Sequence, residues 1–347
     1  MSKAATIRDV AKAAGLSVTA VSRYLNGDIV LPETSSSRIL QAVRELNYQP
    51  NRLARNLSRG ESRMIGLVIP DIVNPFFAIL AAAVESVAFK AGYGVLLCNT
   101  QNDRHRELTY LQLLTGRQLD GILFLTSHAE DPELVRVLQS NRNVVLIDED
   151  VAGVSAPRIF CENRNGGYLA ATYLVERGHT RIGFIGGPHN LLSTQERFAG
   201  FQTALREHGV NLDPTLVRFG PYTSVFGREA TLELLGQGRR PSAIFASSDY
   251  VAVGVLNAAH SRELEVPADL SLVGFDDIPI AELLRPALTT VRQSADELGS
   301  RGAEILFQIL AGQALDVLEI RLPVELIARD SVRPLRRAAR SGVGLRR

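Results

Sequence analysis

Two rhythms of apolar residues divide the chain. Between residues 6 and 46 they recur at helical spacing in three short runs, Ile7-Val10-Ala11-Ala14, Val21-Leu25 and Ile39-Leu40-Val43-Leu46. Thr6 is placed to cap a first helix over 7–14, which Gly15 ends. Ser17 caps a second over 18–26, which Gly27 ends, and a third spans 33–46. Two short helices joined by a tight glycine-containing turn predict a helix-turn-helix, with the three apolar runs sharing one small core.

From residue 63 the rhythm changes. Continuous apolar runs at 63–70, 95–98, 121–125, 144–147, 182–185, near Val217, 243–245 and 271–275 read as strands covered on both faces. Helical patterns at 75–90, 104–115, 132–139, 165–177, 195–208, 226–235 and 251–261 separate them. This alternation predicts doubly wound α/β units, and its two cycles predict two similar lobes. Ligands of such sheets bind beyond the carboxyl ends of the strands. The residues there include Asp71, Phe76, Phe77, Asp148, Glu149, Phe160, Arg197, Tyr222, Ser248, Asp249, Asp276 and Asp277. Aromatic faces mixed with carboxylates and one arginine suit a polyhydroxylated ligand. Asp71, Ser248, Asp249 and Asp277 equally suit helix caps and turns.

The stretch 47–60 lies between the two patterns. Pro50 stops what precedes it, Asn51 to Leu57 reads as about two turns of helix, and Gly60 ends it. So short a helix is marginal alone in water and needs a docking partner to form.

Charge sharpens this division. Residues 1–62 carry nine basic against five acidic residues, and 331–347 carry six arginines and no acid. The intervening 63–330 carry 23 basic against 32 acidic residues. Basic ends on an acidic body predict that the ends, not the body, meet a polyanion. Cys98 and Cys161 are too few and too far apart for a disulfide scaffold or a zinc site. With no apolar leader and no run able to span a bilayer, a cytoplasmic protein that engages no membrane is expected. An enzyme on this fold would need a phosphate-binding motif or a catalytic constellation. No P-loop occurs, Gly183-Phe184-Ile185-Gly186-Gly187 lacks dinucleotide-binding spacing, and the six histidines are not in metal-ligand spacing. Neither enzyme activity, cofactor nor metal is therefore expected. A secreted sugar-binding protein would not carry the basic head.

The head resembles the DNA-binding head of the LacI/GalR family of bacterial transcriptional regulators. The resemblance rests on Thr6 to Ser17, on Ala20-Val21-Ser22-Arg23-Tyr24-Leu25-Asn26, and on Glu45 to Asn51. Ala20 departs from it, standing where the family usually has a threonine. Pro70-Asp71-Ile72-Val73-Asn74-Pro75-Phe76-Phe77, Arg197-Phe198-Ala199-Gly200-Phe201 and Val273-Gly274-Phe275-Asp276-Asp277 extend the likeness to a periplasmic-binding-protein-like body.

The resemblance implies an α/β protein with a helix-turn-helix head at 1–49, a hinge helix and linker at 50–61, and a two-lobed effector and dimerisation domain at 62–332. A basic tail without fixed structure follows at 333–347. It implies a repressor that binds a palindromic operator as a homodimer under control of a sugar or sugar derivative. DNA contacts are expected from Thr6, Arg8, Ser17, Val18, Thr19, Ser22, Arg23, Asn26 and Tyr48, and from Asn51, Arg52, Ala54, Arg55 and Leu57 of the hinge. Val18 and Thr19 would choose the sequence, and Leu57 would wedge into the minor groove. Effector contacts are expected from Phe76, Phe77, Asp148, Phe160, Arg197, Tyr222, Ser248, Asp276 and Gln293. The chain would cross between lobes near 160–162, 291–293 and 322–323.

Overall fold

The computed structural model describes residues 5–48 and 61–335. Pro50 and the hinge residues Asn51, Arg52, Ala54, Arg55 and Leu57 lie outside the described residues, as does the tail from residue 336. The chain forms two compact units, Met1–Arg63 and Met64–Arg347.

The first unit contains α1 (Ile7–Ala14), α2 (Val18–Leu25) and α3 (Glu33–Glu45). Thr6 opens α1 through Asp9, whose carboxylate accepts from both the Thr6 backbone N–H and the Thr6 hydroxyl, at 2.8 and 2.7 Å. Gly15 ends α1 in the left-handed region that glycine enters without steric cost. Val10, Ala11, Ala14, Val21, Ile39 and Ala42 form the core, with Leu25, Val43 and Tyr48 packed around it. Leu40 and Leu46, expected in that core, are exposed. Ala42 follows Ile39 by three residues and fills the helical position that Leu40 cannot reach.

The second unit holds two six-stranded sheets. The first has the order β2-β1-β3-β4-β5-β11, all parallel. Its strands are β1 (Met64–Ile69), β2 (Gly94–Asn99), β3 (Gly121–Phe124), β4 (Val144–Ile147), β5 (Arg158–Cys161) and β11 (Glu319–Leu322). The second has the order β7-β6-β8-β9-β10-β12, parallel except for β12. It comprises β6 (Ile182–Gly186), β7 (Val217–Phe219), β8 (Ala243–Ala246), β9 (Ser271–Asp276), β10 (Thr289–Gln293) and β12 (Val324–Ile327).

The central strands of each sheet are buried on both faces, and the edge strands β2, β7, β11 and β12 are partly exposed. Along β1, Ile65, Leu67 and Ile69 enter one core and Val68 another, as alternation on a strand dictates. The helices are α4 (Pro75–Lys90), α5 (Arg104–Thr115), α6 (Pro132–Gln139), α7 (Asn163–Glu176), α8 (Leu192–Glu207), α9 (Ser224–Leu235), α10 (Asp249–Ser261), α11 (Ile280–Leu283) and α12 (Ala295–Leu310). Strands β5, β10, β11 and β12 and helices α11 and α12 add to the elements that the apolar rhythm predicted.

The chain passes from the first lobe to the second between β5 and α7. It returns between β10 and α12, and crosses again between β11 and β12. Residues 333–335, placed in the tail from the sequence, are docked on the second lobe instead. The Arg333 N–H donates to Ser271 Oγ, and the Leu335 N–H to the Arg177 carbonyl. Buried His179 holds the Arg333 carbonyl at 3.1 Å and the Ser242 hydroxyl at 3.0 Å.

Candidate DNA-reading face and interlobe effector site

In the head, Ser17 Oγ caps α2 by accepting from the Ala20 N–H at 3.1 Å. The first turn of α2 is thereby fixed with Val18 and Thr19 outward. Arg8 and Arg23 are exposed, Ser22 and Asn26 half-buried. Thr6 is exposed, but its hydroxyl is held by Asp9. Tyr48 is half-buried against the head core, so its ring also supports the helices. The result is a rigid helix N-terminus presenting two short side chains, with a guanidinium one turn further on. A helix lying in the major groove reads base edges with side chains so arranged.

In the second unit both lobes aim the carboxyl ends of their strands at one cleft. A cavity of about 410 Å3 lies there. The first lobe lines it with Pro70, Asp71, Asn74, Phe77, Leu125, Thr126 and Asp148, and the second with Pro188, Leu191, Pro221, Tyr222 and Thr223. Of the expected effector residues, Phe77, Asp148 and Tyr222 reach this lining. Phe76 does not: it is buried in the first lobe's core, edge-on to Phe77 at 5.2 Å. Phe160 is buried on β5, where the Arg321 guanidinium lies 5.2 Å from its ring.

Arg197, Ser248, Asp276 and Gln293 meet one another in a buried polar cluster that adjoins the cavity at Tyr222. Arg197 Nε donates to Asn163 Oδ1 at 2.8 Å, and its Nη1 donates to the Ser247 carbonyl at 2.6 Å. Its guanidinium lies over the Phe275 ring at 3.7 Å, 6.0 Å from that of Tyr222. Asp276 accepts from Ser248 Oγ at 2.9 Å and from Gln293 Nε2 at 2.6 Å, with Arg197 Nη1 at 3.8 Å. Glycines set this geometry. A Cβ on Gly167 of α7 would lie 2.0 Å from the Arg197 carbonyl oxygen, and one on Gly200 of α8 would lie 1.9 Å from that of Arg164. Only bare backbones let α7 and α8 approach so closely, and that approach delivers Arg197 to the strand ends.

Two carboxylates at strand ends have positive φ, Asp148 at 64° and Asp276 at 114°, a backbone region that L residues adopt at a cost. Burial raises the pKa of both, and Asp276 reaches about 6 against the opposing pull of Arg197, Ser248 and Gln293. Burial and then the Asp148 charge push Glu149 up to about 8, although Ser193 and Arg197 act to lower it. Asp249, fully buried, is raised by burial and by Asp276. It anchors the floor by accepting from Thr290 Oγ1 at 2.6 Å and from the Ile278 N–H at 3.0 Å.

Several polar atoms here are buried without a hydrogen-bond partner: Asp148 Oδ1, Asn163 Nδ2, Ser247 Oγ and Gln293 Oε1. Donors and acceptors so placed suit the hydroxyls of a small ligand. Asn163 escaped the sequence reading, whereas Glu149 and Ser193 follow strand ends but were not among the expected effector contacts. Glu149 stands directly beside Asp148 and bridges the lobes, accepting from the Ser193 hydroxyl and, at 3.3 Å, from the Ser193 N–H.

Residues 6–51 match the model of bacterial regulatory proteins of the lacI family, and residues 171–332 match that of a periplasmic binding protein-like domain. A ribose operon repressor of Halalkalibacterium halodurans is 38% identical over 94% of this chain and 97% of its own. The chain belongs to the LacI family. As such it is a sequence-specific, DNA-binding transcription regulator with an effector-binding body.

Solved structures agree. The Lac repressor dimer bound to operator and the anti-inducer ONPF superposes with a TM-score of 0.83 at 26% identity, covering 95% of this chain and 100% of that one. A LacI-family regulator from Enterococcus faecium with bound ribose gives 0.70 at 29% identity, covering 78% and 99%. Among the described residues, no helix is long and apolar enough to cross a membrane.

Proposed function

We propose that this LacI-family regulator is a repressor that binds a palindromic operator as a homodimer. A neutral sugar or sugar derivative in the interlobe cleft controls it, and it catalyses no reaction. The observation that carries the effector assignment is the set of buried, unpartnered polar atoms around the Arg197–Asp276 cluster. A monosaccharide offers hydroxyls that donate and accept together, as that mixed set requires. Asp148, Arg197, Asp276 and Gln293 would hold the hydroxyls, with Phe77 and Tyr222 as ring walls. The ribose relatives support a pentose. Arg197 is already engaged by Asn163, Ser247 and Asp276, and among the described residues the cavity lining itself holds no lysine or arginine, which argues against a phosphorylated sugar.

The dimer and operator follow the Lac repressor likeness. Val18, Thr19 and Arg23 would read bases, and Leu57 and its hinge neighbours would complete the contact. Such a protein works in the cytoplasm, where the DNA is. A gel shift against palindromes upstream of its own gene tests the reading. A sequence-specific complex weakened by salt is expected; binding no tighter than to random duplex would overturn it.

A further inference from the structure

The cavity is larger than the ligand so far assigned to it, and the lobes around it already touch. Glu149 on the first lobe accepts from Ser193 on the second. Arg321 on β11 donates to both carboxylate oxygens of Glu196 on α8, at 2.8 and 2.9 Å. The 410 Å3 therefore belongs to lobes in contact. A free pentose displaces roughly five waters, about 150 Å3 at ~30 Å3 each. More than half of the space would stay unfilled.

The character of the surplus space differs from that of the polar cluster. Pro188, Leu191 and Pro221 wall it from the second lobe, and Leu125 and Phe77 wall it from the first. Tyr222 divides it from Arg197, its hydroxyl tied to Thr194 Oγ1 at 2.8 Å. Flat apolar walls suit a planar group better than a second sugar, whose hydroxyls would go unpaired.

Polar groups stand at the far rim. Asn102 Oδ1 accepts from Ser127 Oγ at 2.6 Å, which leaves the amide Nδ2 free to donate elsewhere. His128 Nδ1 lies 3.2 Å from the buried Glu107 carboxylate, so that Nε2 is the ring atom left for a ligand. These two groups could meet the polar edge of a heterocycle.

We propose that the effector is a nucleoside-type molecule. Its sugar sits at the Asp148–Arg197–Gln293 end, and its uncharged heterocycle lies between Phe77, Leu191 and Pro221, facing Asn102 and His128. This rests on the sugar assignment above and specifies what the sugar carries.

Isothermal titration of the full-length protein with ribose, adenosine, cytidine, cellobiose and adenosine 5′-monophosphate tests it. At least one nucleoside should bind about tenfold or more tightly than ribose, the scale of one aromatic ring in an apolar pocket. The monophosphate should bind more weakly than its nucleoside. His128→Ala and, separately, Leu191→Trp should each lower the nucleoside-to-ribose affinity ratio by about tenfold, with unliganded operator binding as the check of folding. Ribose or cellobiose binding as tightly as every nucleoside, or an unchanged ratio in both variants, would overturn the proposal and leave the sugar assignment standing. Binding of none of these molecules would overturn both.

Discussion

The head and the cleft solve recognition in opposite ways. The head keeps its reading groups in solvent, on a helix supported by a core of six small or branched residues. The cleft keeps Arg197, Asp148, Glu149, Asp249 and Asp276 out of solvent, within a body whose central strands are buried on both faces. Solvent-exposed cations suit a polyanion, whose affinity comes from released counterions and needs little desolvation of the protein. Buried groups suit a small uncharged ligand, which must be distinguished by the direction of each hydrogen bond. A lost contact should therefore cost the head binding alone, whereas in the cleft it should cost both binding and stability.

The largest expected effect tests that asymmetry. Arg197→Ala removes the cation among four buried carboxylates and should destabilise the second unit by roughly 3–5 kcal/mol, as breaking a buried pair does. Calorimetry would register it as a fall in the body's unfolding transition. An unchanged transition would mean that the cleft tolerates loss like a surface. Arg23→Ala in the head should weaken specific operator binding by about 1–3 kcal/mol and leave both the melting transition and effector affinity unchanged. A comparable loss on random duplex would assign Arg23 to phosphate rather than base.

A third effect is a pH dependence set by Glu149. Its folded pKa of about 8 lies above its ordinary value of 4.5, so the folded state holds the proton more tightly. That contribution favours folding at low pH and is lost as pH rises from about 4.5 through about 8. Thermal denaturation of Glu149→Gln between pH 5 and 8 should show a flatter decline than the parent chain. Identical slopes would remove Glu149 from the buried set.

Much of this contrast was legible in the sequence, for reasons that differ by region. Helices α4, α5 and α6 stand where the pattern placed them, because Asn74, Asp103 and Asp131 cap them and the turns that follow stop them. Strands β11 and β12 were not legible: each has four residues, charged positions interrupt the apolar ones, and their pairing is a long-range event. In the cleft, adjacency to strand ends pointed to Asp148, Arg197 and Asp276, and the resemblance added Gln293. It could not separate Phe76 from Phe77, since neighbouring helical residues differ only in which way they face. Glu107 carried a signal that went unread. It stands four residues before Leu111 and seven before Leu114, on the buried face of α5, and an acid at a core position needs partners. It accepts from Thr126 Oγ1 at 2.8 Å and the Ser127 N–H at 2.9 Å, holding the loop that bears His128.

The central claim is that the two modes of recognition are coupled. Operator affinity should be measured by fluorescence anisotropy at fixed salt, with and without saturating effector, for the parent chain and for Arg197→Lys. The substitution keeps the charge and loses the fork that spans Asn163 and Ser247. The account predicts that effector shifts operator affinity about fivefold or more in the parent chain, the lower end of typical coupling, and little in the variant. Equal operator affinity with and without bound effector in the parent chain would contradict it.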